Sequence, residues 1–497
     1  MNYKQVINYL GWFILYYSLV FLVLLIPAFI YKEYNLIPAI FETFFCTLLL
    51  GSVGIILTYK KNPEEEENFL IRESLAFVGL GWIIITILGA LPFYLSENLS
   101  LVDAIFESIS GYTTTGATTV HDIEAFPKTL LFWRAFTHFL GGVGIVVIFV
   151  SILPYIGAGG RLLLESESFA PDIRSVKPRI KESVKQILLV YLTFNAANIV
   201  LLMIFGMNFF DAVCHAFSTL ATGGFSTRQM SIGAYNSLPI EIITIFFMFC
   251  GATNFGLLYQ IYHGNFKVFI KNVEWKVYVL IWFSSIVLIS FSLVGFHGTF
   301  SQDPTQFPSY SIGKAFRDSA FTVTSLMSCT GFVTADFDTW PHFAKWILMI
   351  IVVIGGCAGS TAGGIKTIRF TIVCKLLFNR ITSIFQPRTI KTIRVGEQVI
   401  SEETQKAVTV FVVLWIFIIA IGSLALCWTG LPILSAISSV IVCFSNCGPG
   451  LEYVGGYEDY SFLSPLGKSV LSFIMLTGRV ELYSILALFL PSFWRGK

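Results

Sequence analysis

Apolar residues in this chain come in runs too long for the core of a water-soluble domain. Ten of them approach the ~20 residues that a helix needs to cross the hydrocarbon core of a membrane. They fall at Tyr9–Ile30, Leu36–Tyr59, Leu75–Leu95, Thr129–Ile156, Val184–Phe205, Pro239–Tyr262, Trp275–Phe296, Phe343–Leu377, Val408–Trp428 and Leu466–Leu490, the eighth interrupted by glycines. The pattern predicts an all-α polytopic membrane protein with ten transmembrane helices. The first run is longer than the apolar region of a signal peptide, and no small-residue cleavage pattern follows it. It is expected to remain as a helix.

The connections between runs alternate in charge. Those at 157–185, 263–276 and 366–406 are rich in Lys and Arg, whereas the four long connections on the other side hold few cations, among them Arg228, Lys314 and Arg317. Lys and Arg accumulate on the cytoplasmic side of a membrane. The bias predicts a multi-pass protein of the cell inner (plasma) membrane with both termini cytoplasmic. The acidic run Glu64–Glu67 follows Lys60 and Lys61 on the inner side. It reads as a solvated connector, with a partner-docking patch as the alternative.

Composition agrees with the pattern. The 497 residues are 55% hydrophobic and 12% charged, against roughly 25% charged in soluble domains. A net charge of +2 gives no reason to expect nucleic acid. The nine cysteines form no CxxC pair, and Cys46, Cys250, Cys374 and Cys427 sit in apolar runs as small hydrophobes. No HExxH, GxSxG or P-loop pattern is present, which argues against an enzyme and against nucleotide binding by this chain itself.

The outer connections contain a repeat. Each has an apolar stretch too short to span, followed by glycine, and such a segment reads as re-entrant. Asp103 leads to Gly116, Asp211 to Gly224, Asp318 to Gly331 and Ser435 to Gly448, always over 13 residues. The glycines recur after 108, 107 and 117 residues, and an internal repeat outranks any single motif. Asp or Ser at the start is expected to be an N-cap. A helix of about ten residues then points the partial negative charge of its C-terminus at whatever lies beyond, which favours a cation there. Glycine lets successive carbonyls turn toward one axis, where they can replace an ion's hydration shell. The repeat divides the chain into an N-terminal helix pair and connector (1–72), a first pore unit (73–157), a connector with a second unit (158–266), a third unit with a broken helix and a connector (267–402), and a fourth unit (403–497).

Six stretches carry a resemblance: Thr113–Thr118, Gly223–Thr227, Thr330–Phe332, Asn446–Gly450, Gly355–Lys366 and Gly478–Glu481. In these the chain resembles the TrkH/TrkG branch of the Trk/Ktr/HKT superfamily of potassium transporters. The first two helices resemble the extra N-terminal pair of that branch. The resemblance implies four parallel helix–pore helix–helix repeats in a pseudo-four-fold arrangement. It implies potassium bound by the backbone of Thr114, Thr115, Gly116, Thr222, Gly223, Gly224, Cys329, Thr330, Gly331, Asn446, Cys447 and Gly448, with no structural metal and no cofactor in this chain. Cys447 stands where the family often has an aliphatic residue, and a Cys329–Cys447 disulfide is the alternative to two free thiols. The resemblance also implies a homodimer and control by a cytosolic TrkA-type nucleotide-binding subunit, for which 157–185 and 366–406 are the expected docking surface.

Two features predict a gate. Glycine weakens a helix by roughly 1 kcal/mol relative to alanine, so the run holding Gly355, Gly356, Gly359, Gly363 and Gly364, followed by Lys366, should unwind. The family places an intramembrane gating loop here. Arg479, in the last apolar run, is expensive in lipid and is expected to face the pore as an electrostatic barrier; a structural salt bridge is the other reading. Glu107 and His215 occupy equivalent positions and are expected either to tune the outer potential or to bond neighbouring repeats. Four repeats running parallel favour a gated channel over a secondary symporter coupling potassium to protons or sodium.

Overall fold

The computed structural model describes residues 1–58, 71–151, 176–295, 310–386, 392–396, 398–480 and 482–495. Glu64–Glu67, much of the basic connection at 157–185 and Glu481 lie outside them. The chain is helical nearly throughout, with one departure from an all-α fold. Arg394–Val395 pairs antiparallel with Gln398–Val399 in a two-stranded hairpin.

Among the described residues six helical segments are long and apolar enough to cross a membrane: Tyr3–Ile30, Tyr34–Leu57, Arg72–Leu95, Val184–Ile204, Val273–Val294 and Glu402–Trp428. The first two are the N-terminal pair, and each of the others opens one of the four units. The helix that closes each unit is different. Leu238–Gly251 and Phe255–Tyr262 meet at a 109° bend. His342–Ile354 and Thr367–Phe385 are separated by an unwound segment. Pro465–Arg479 stops before Tyr483–Leu488, so the expected single helix over Leu466–Leu490 is two pieces. Lys128–Ser151 alone runs on without a break.

Between opening and closing helices lie four shorter ones, Leu101–Tyr112, Phe209–Leu220, Ile312–Met327 and Ile433–Phe444. Their N-termini correct the sequence reading. The caps are Ser100, Asn208 and Ser311, whose side chains accept from the backbone N–H three residues on. Asp103 and Asp211 sit at that third position, and Ser100 Oγ in turn donates to Asp103 Oδ2 at 2.6 Å. Asn208 Nδ2 likewise donates to Asp211 Oδ2 at 2.9 Å, so each carboxylate is tied to the side chain of its cap. Asp318 lies inside its helix, and Ser435 donates to Glu452 Oε2 at 2.7 Å instead of capping.

The N-terminal pair docks on the first unit. Glu33 accepts from the backbone N–H groups of Lys128 and Thr129, both at 2.8 Å, at the start of Lys128–Ser151. An anion at a helix N-terminus is stabilising. Near the chain ends, Tyr3 stacks on Trp494 with centroids 6.1 Å apart and planes 9° from parallel.

Candidate functional site

All four short helices end alike. Thr114, Thr222, Cys329 and Asn446 hold φ of 52°, 57°, 57° and 53°, in the left-handed region. The next N–H, on Thr115, Gly223, Thr330 or Cys447, reaches back five residues to a helical carbonyl at 2.8 Å in every case. With the three-residue bond from the preceding N–H, this is the Schellman arrangement, whose left-handed residue is usually glycine. The glycine then comes two residues later, at φ 83°, 83°, 81° and 87° for Gly116, Gly224, Gly331 and Gly448. Each turn thus has two left-handed residues, separated by one whose φ is not positive.

The turns touch in sequence. A Cβ on Gly116 would overlap the carbonyl oxygen of Gly223, one on Gly224 that of Thr330, one on Gly331 that of Cys447, and one on Gly448 that of Thr115. The contacts form a closed cycle, first turn to second, third, fourth and back. All four glycines line a single cavity of 60 Å³, together with Arg134, Arg228 and Asp459 among others. The middle side chains point elsewhere. Thr115 Oγ1 bonds Thr113 Oγ1 at 2.8 Å and Thr330 Oγ1 bonds Ser328 Oγ at 2.7 Å, while the sulfur of Cys447 lies 3.7 Å from the Leu326 carbonyl. Cys329 and Cys447 are free thiols.

On the other side of the cycle lies the unwound segment between Ile354 and Thr367. Gly355, Gly359, Gly364 and Lys366 have φ of 69°, 72°, 78° and 79°. The segment is fastened at several points. Thr361 Oγ1 donates to the carbonyls of Leu220 and Gly251 at 2.9 and 3.0 Å. Glu274 Oε1 accepts from the N–H of Ala358 at 2.7 Å and of Ile368 at 3.1 Å. Gly363 is packed on the Ser445 carbonyl so tightly that no Cβ would fit. Lys366 Nζ bonds the Ala362 carbonyl.

Arg479 is 3% exposed and donates to the Thr361 carbonyl at 2.6 Å and the Gly141 carbonyl at 3.2 Å. It thus joins the third unit's segment to the first unit's closing helix. With Gly363, Gly364, Lys366 and Asn446 it lines a second cavity of 20 Å³, about the space of one water. Glu107 and His215 reach the limbs beyond the turns: Glu107 accepts from Thr119 N–H at 2.9 Å, and His215 Nε2 bonds Ser226 Oγ at 2.9 Å. The four turns, the unwound segment and Arg479, singled out from the sequence, thus lie against one another.

Sequence reasoning missed Glu274, Arg134, Gly141 and Gly251, and named Gly478 without its packing role. Gly141 and Gly478 leave no room for a Cβ against the carbonyls of Tyr112 and Phe444, and at Gly251 it would lie 3.1 Å from that of Leu220. Tyr112, Leu220 and Phe444 are the last residues of their short helices. A helical glycine 25 to 30 residues after the turn glycine, in the first, second and fourth units, was the available signal.

Comparison with known proteins follows the same outline. The family described as TrkH, cation transport protein, matches residues 36–495. The Trk system potassium uptake protein TrkH of Escherichia coli (strain K12) is 34% identical over all of both chains. TrkG of the same strain is 31% identical over 99% of each. The crystal structure of the potassium transporter TrkH from Vibrio parahaemolyticus superposes with a TM-score of 0.87 at 32% identity, covering both chains completely. The chain belongs to the TrkH family of cation transport proteins.

Proposed function

We propose that this chain takes up potassium across the inner membrane through a gated, channel-like pore whose axis passes through the cycle of four turns. The closed cycle of glycine–carbonyl contacts carries this reading. It supports ten crossings, with four parallel units in pseudo-four-fold order behind the N-terminal pair. The ion-facing groups are the backbone carbonyls of Thr114 to Gly116, Thr222 to Gly224, Cys329 to Gly331 and Asn446 to Gly448, which replace water around a dehydrated cation. Four helix C-termini aimed at the same place add partial negative charge. Potassium as the cargo is supported by the names of the full-length relatives. With one glycine per turn the filter is short, so larger alkali ions also pass and sodium is incompletely rejected.

The segment Gly355–Lys366 is the gate and Arg479 its charged stop. Its position across the cycle from the 60 Å³ cavity supports this. A cytosolic TrkA-type nucleotide-binding subunit acts on it from the basic connections at 157–185 and 366–406, and the chain works as a homodimer in the inner membrane with both termini cytoplasmic.

The test is potassium flux and reversal potential in proteoliposomes, with and without a TrkA-type subunit. The reversal potential is expected to follow the monovalent-cation gradients, potassium foremost, and to ignore the proton gradient. Gly331→Ala, whose new methyl meets the Cys447 carbonyl, should abolish the flux. A reversal potential that moves with a proton gradient, or a strong preference for sodium, would sink the proposal.

A further inference from the structure

Beside the cycle, the first and second turns are joined by a buried ion pair that takes no part in carrying an ion. Arg134 Nε lies 2.6 Å from Glu107 Oε1, the two side chains 1% and 0% exposed. Glu107 also accepts from Thr118 Oγ1 at 3.0 Å and from Thr119 N–H at 2.9 Å. Arg134 uses the rest of its fork outward: Nη2 donates to Thr118 Oγ1 at 3.0 Å and Nη1 to the Ser226 carbonyl at 3.4 Å. Thr118 and Ser226 are each the second residue after a turn glycine, Gly116 and Gly224. One guanidinium therefore holds the same level of two neighbouring loops.

The contact continues to the turn itself. The guanidinium lies 4.2 Å over the Phe225 ring, which stacks on His138 at 4.2 Å. The His138 imidazole fills the space where a Cβ on Gly223 would stand. The other units lack this charge. Nine residues before the turn glycine, the four units carry Glu107, His215, Thr322 and Ser439. Ser439 bonds within its own helix, to the Ser435 carbonyl at 2.5 Å.

We propose that Glu107 and Arg134 are a specificity-determining bracket that fixes the spacing of the first and second turns and so sets how well sodium is excluded. The proposal rests on the pore reading above. In the snug-fit account, a ring of carbonyls rejects a smaller ion because its oxygens resist closing onto it. A buried pair with every atom bonded is stiff, and losing one partner leaves an uncompensated charge. Lysine cannot reproduce the fork. Both are positioning residues: Glu107 is buried behind the first turn, and Arg134, at the wall of the 60 Å³ cavity, bonds two loops and supplies no oxygen to an ion. The bracket is one-sided, so selectivity belongs to one wall of the ring.

The test measures potassium and sodium permeability from reversal potentials of the purified protein in planar bilayers. Wild type is compared with Glu107→Gln, Arg134→Lys and Thr118→Val, the last removing one hydroxyl and leaving the charges paired. The sodium-to-potassium permeability ratio is expected to rise about tenfold in the two charge variants, the scale of one charge-assisted hydrogen bond. It should rise by a smaller factor in Thr118→Val, with potassium flux retained. If Thr118→Val and whichever charge variants fold keep the wild-type ratio, the bracket serves stability alone and the proposal is overturned. Gly331→Ala in the same series separates the two levels: wild-type flux and ratio in that variant would fail the pore reading itself.

Discussion

At Gly141 and Gly144 one helix uses the same residue type for two different ends. A methyl on Gly141 would overlap the Tyr112 carbonyl, whereas one on Gly144 would rest 3.5 Å from the Trp82 ring. Gly141→Ala should therefore belong to the severe class, losing more than about 4 kcal/mol or the folded protein outright. Gly144→Ala should be neutral or gain up to about 1 kcal/mol through helix propensity. Thermal unfolding in detergent, with recovered flux, distinguishes them. The turn glycines were legible because four of them keep one distance from a small polar residue. Thr114, Thr222, Cys329 and Asn446 gave no such notice of their left-handed backbone, because three of the four are not residues that favour it. Asp103 and Asp211 misled by three positions: a carboxylate in the first helical turn and the cap itself both read as N-terminal signals.

Among elements, the closing helices carry the differences between units. The break after Ile354 could be read from its glycines. The break after Arg479 could not, since no proline or glycine follows and only Leu482, at φ 49°, marks it. The segment proposed as the gate is held by Glu274 through two backbone N–H groups and by Arg479 through the Thr361 carbonyl. Glu274→Gln keeps the shape but replaces a carboxylate with a weaker acceptor, and Arg479→Gln removes a charge and the reach to Gly141. Both are expected to raise basal potassium flux several-fold without a TrkA-type subunit. Arg479→Gln should do so more, because it also lifts the electrostatic barrier. Equal or lower flux from folded protein in both variants would count against the gate.

Across the whole molecule, ion pairs clasp the units from outside the ring. Arg317 meets Glu241 with two bonds of 2.7 Å, third unit to second. Lys468 meets Asp103 at 2.5 Å, and His121 meets Asp459 at 2.7 Å, both fourth unit to first. The last clasp is the one that titrates. The Asp459 hydrogen bond and charge raise the His121 pKa above its ordinary value. Burial works to raise the Asp459 carboxyl, but bonds from Ser461 and His121 outweigh it and hold the pKa low. A raised histidine stabilises the fold fully below its unfolded pKa of about 6.5, and loses that contribution as pH climbs through the raised value. Comparing wild type with His121→Ala, the loss of thermal stability should be largest below the unfolded pKa and shrink as pH rises past the raised one. A difference independent of pH would mean that the histidine acts by packing.

The meeting of Tyr3 with Trp494 carries a topological constraint. Two rings stacked face to face lie on one side of a bilayer, so the path between them must cross it an even number of times, and a segment that enters and returns adds nothing. Counting long apolar helices among the described residues gives six, or seven with the bent pair included. Parity forbids seven and nine. Each broken closing helix must therefore be entered in the count by where its two ends emerge, not by its length, and a total of ten satisfies the rule with all four closing helices taken as crossings.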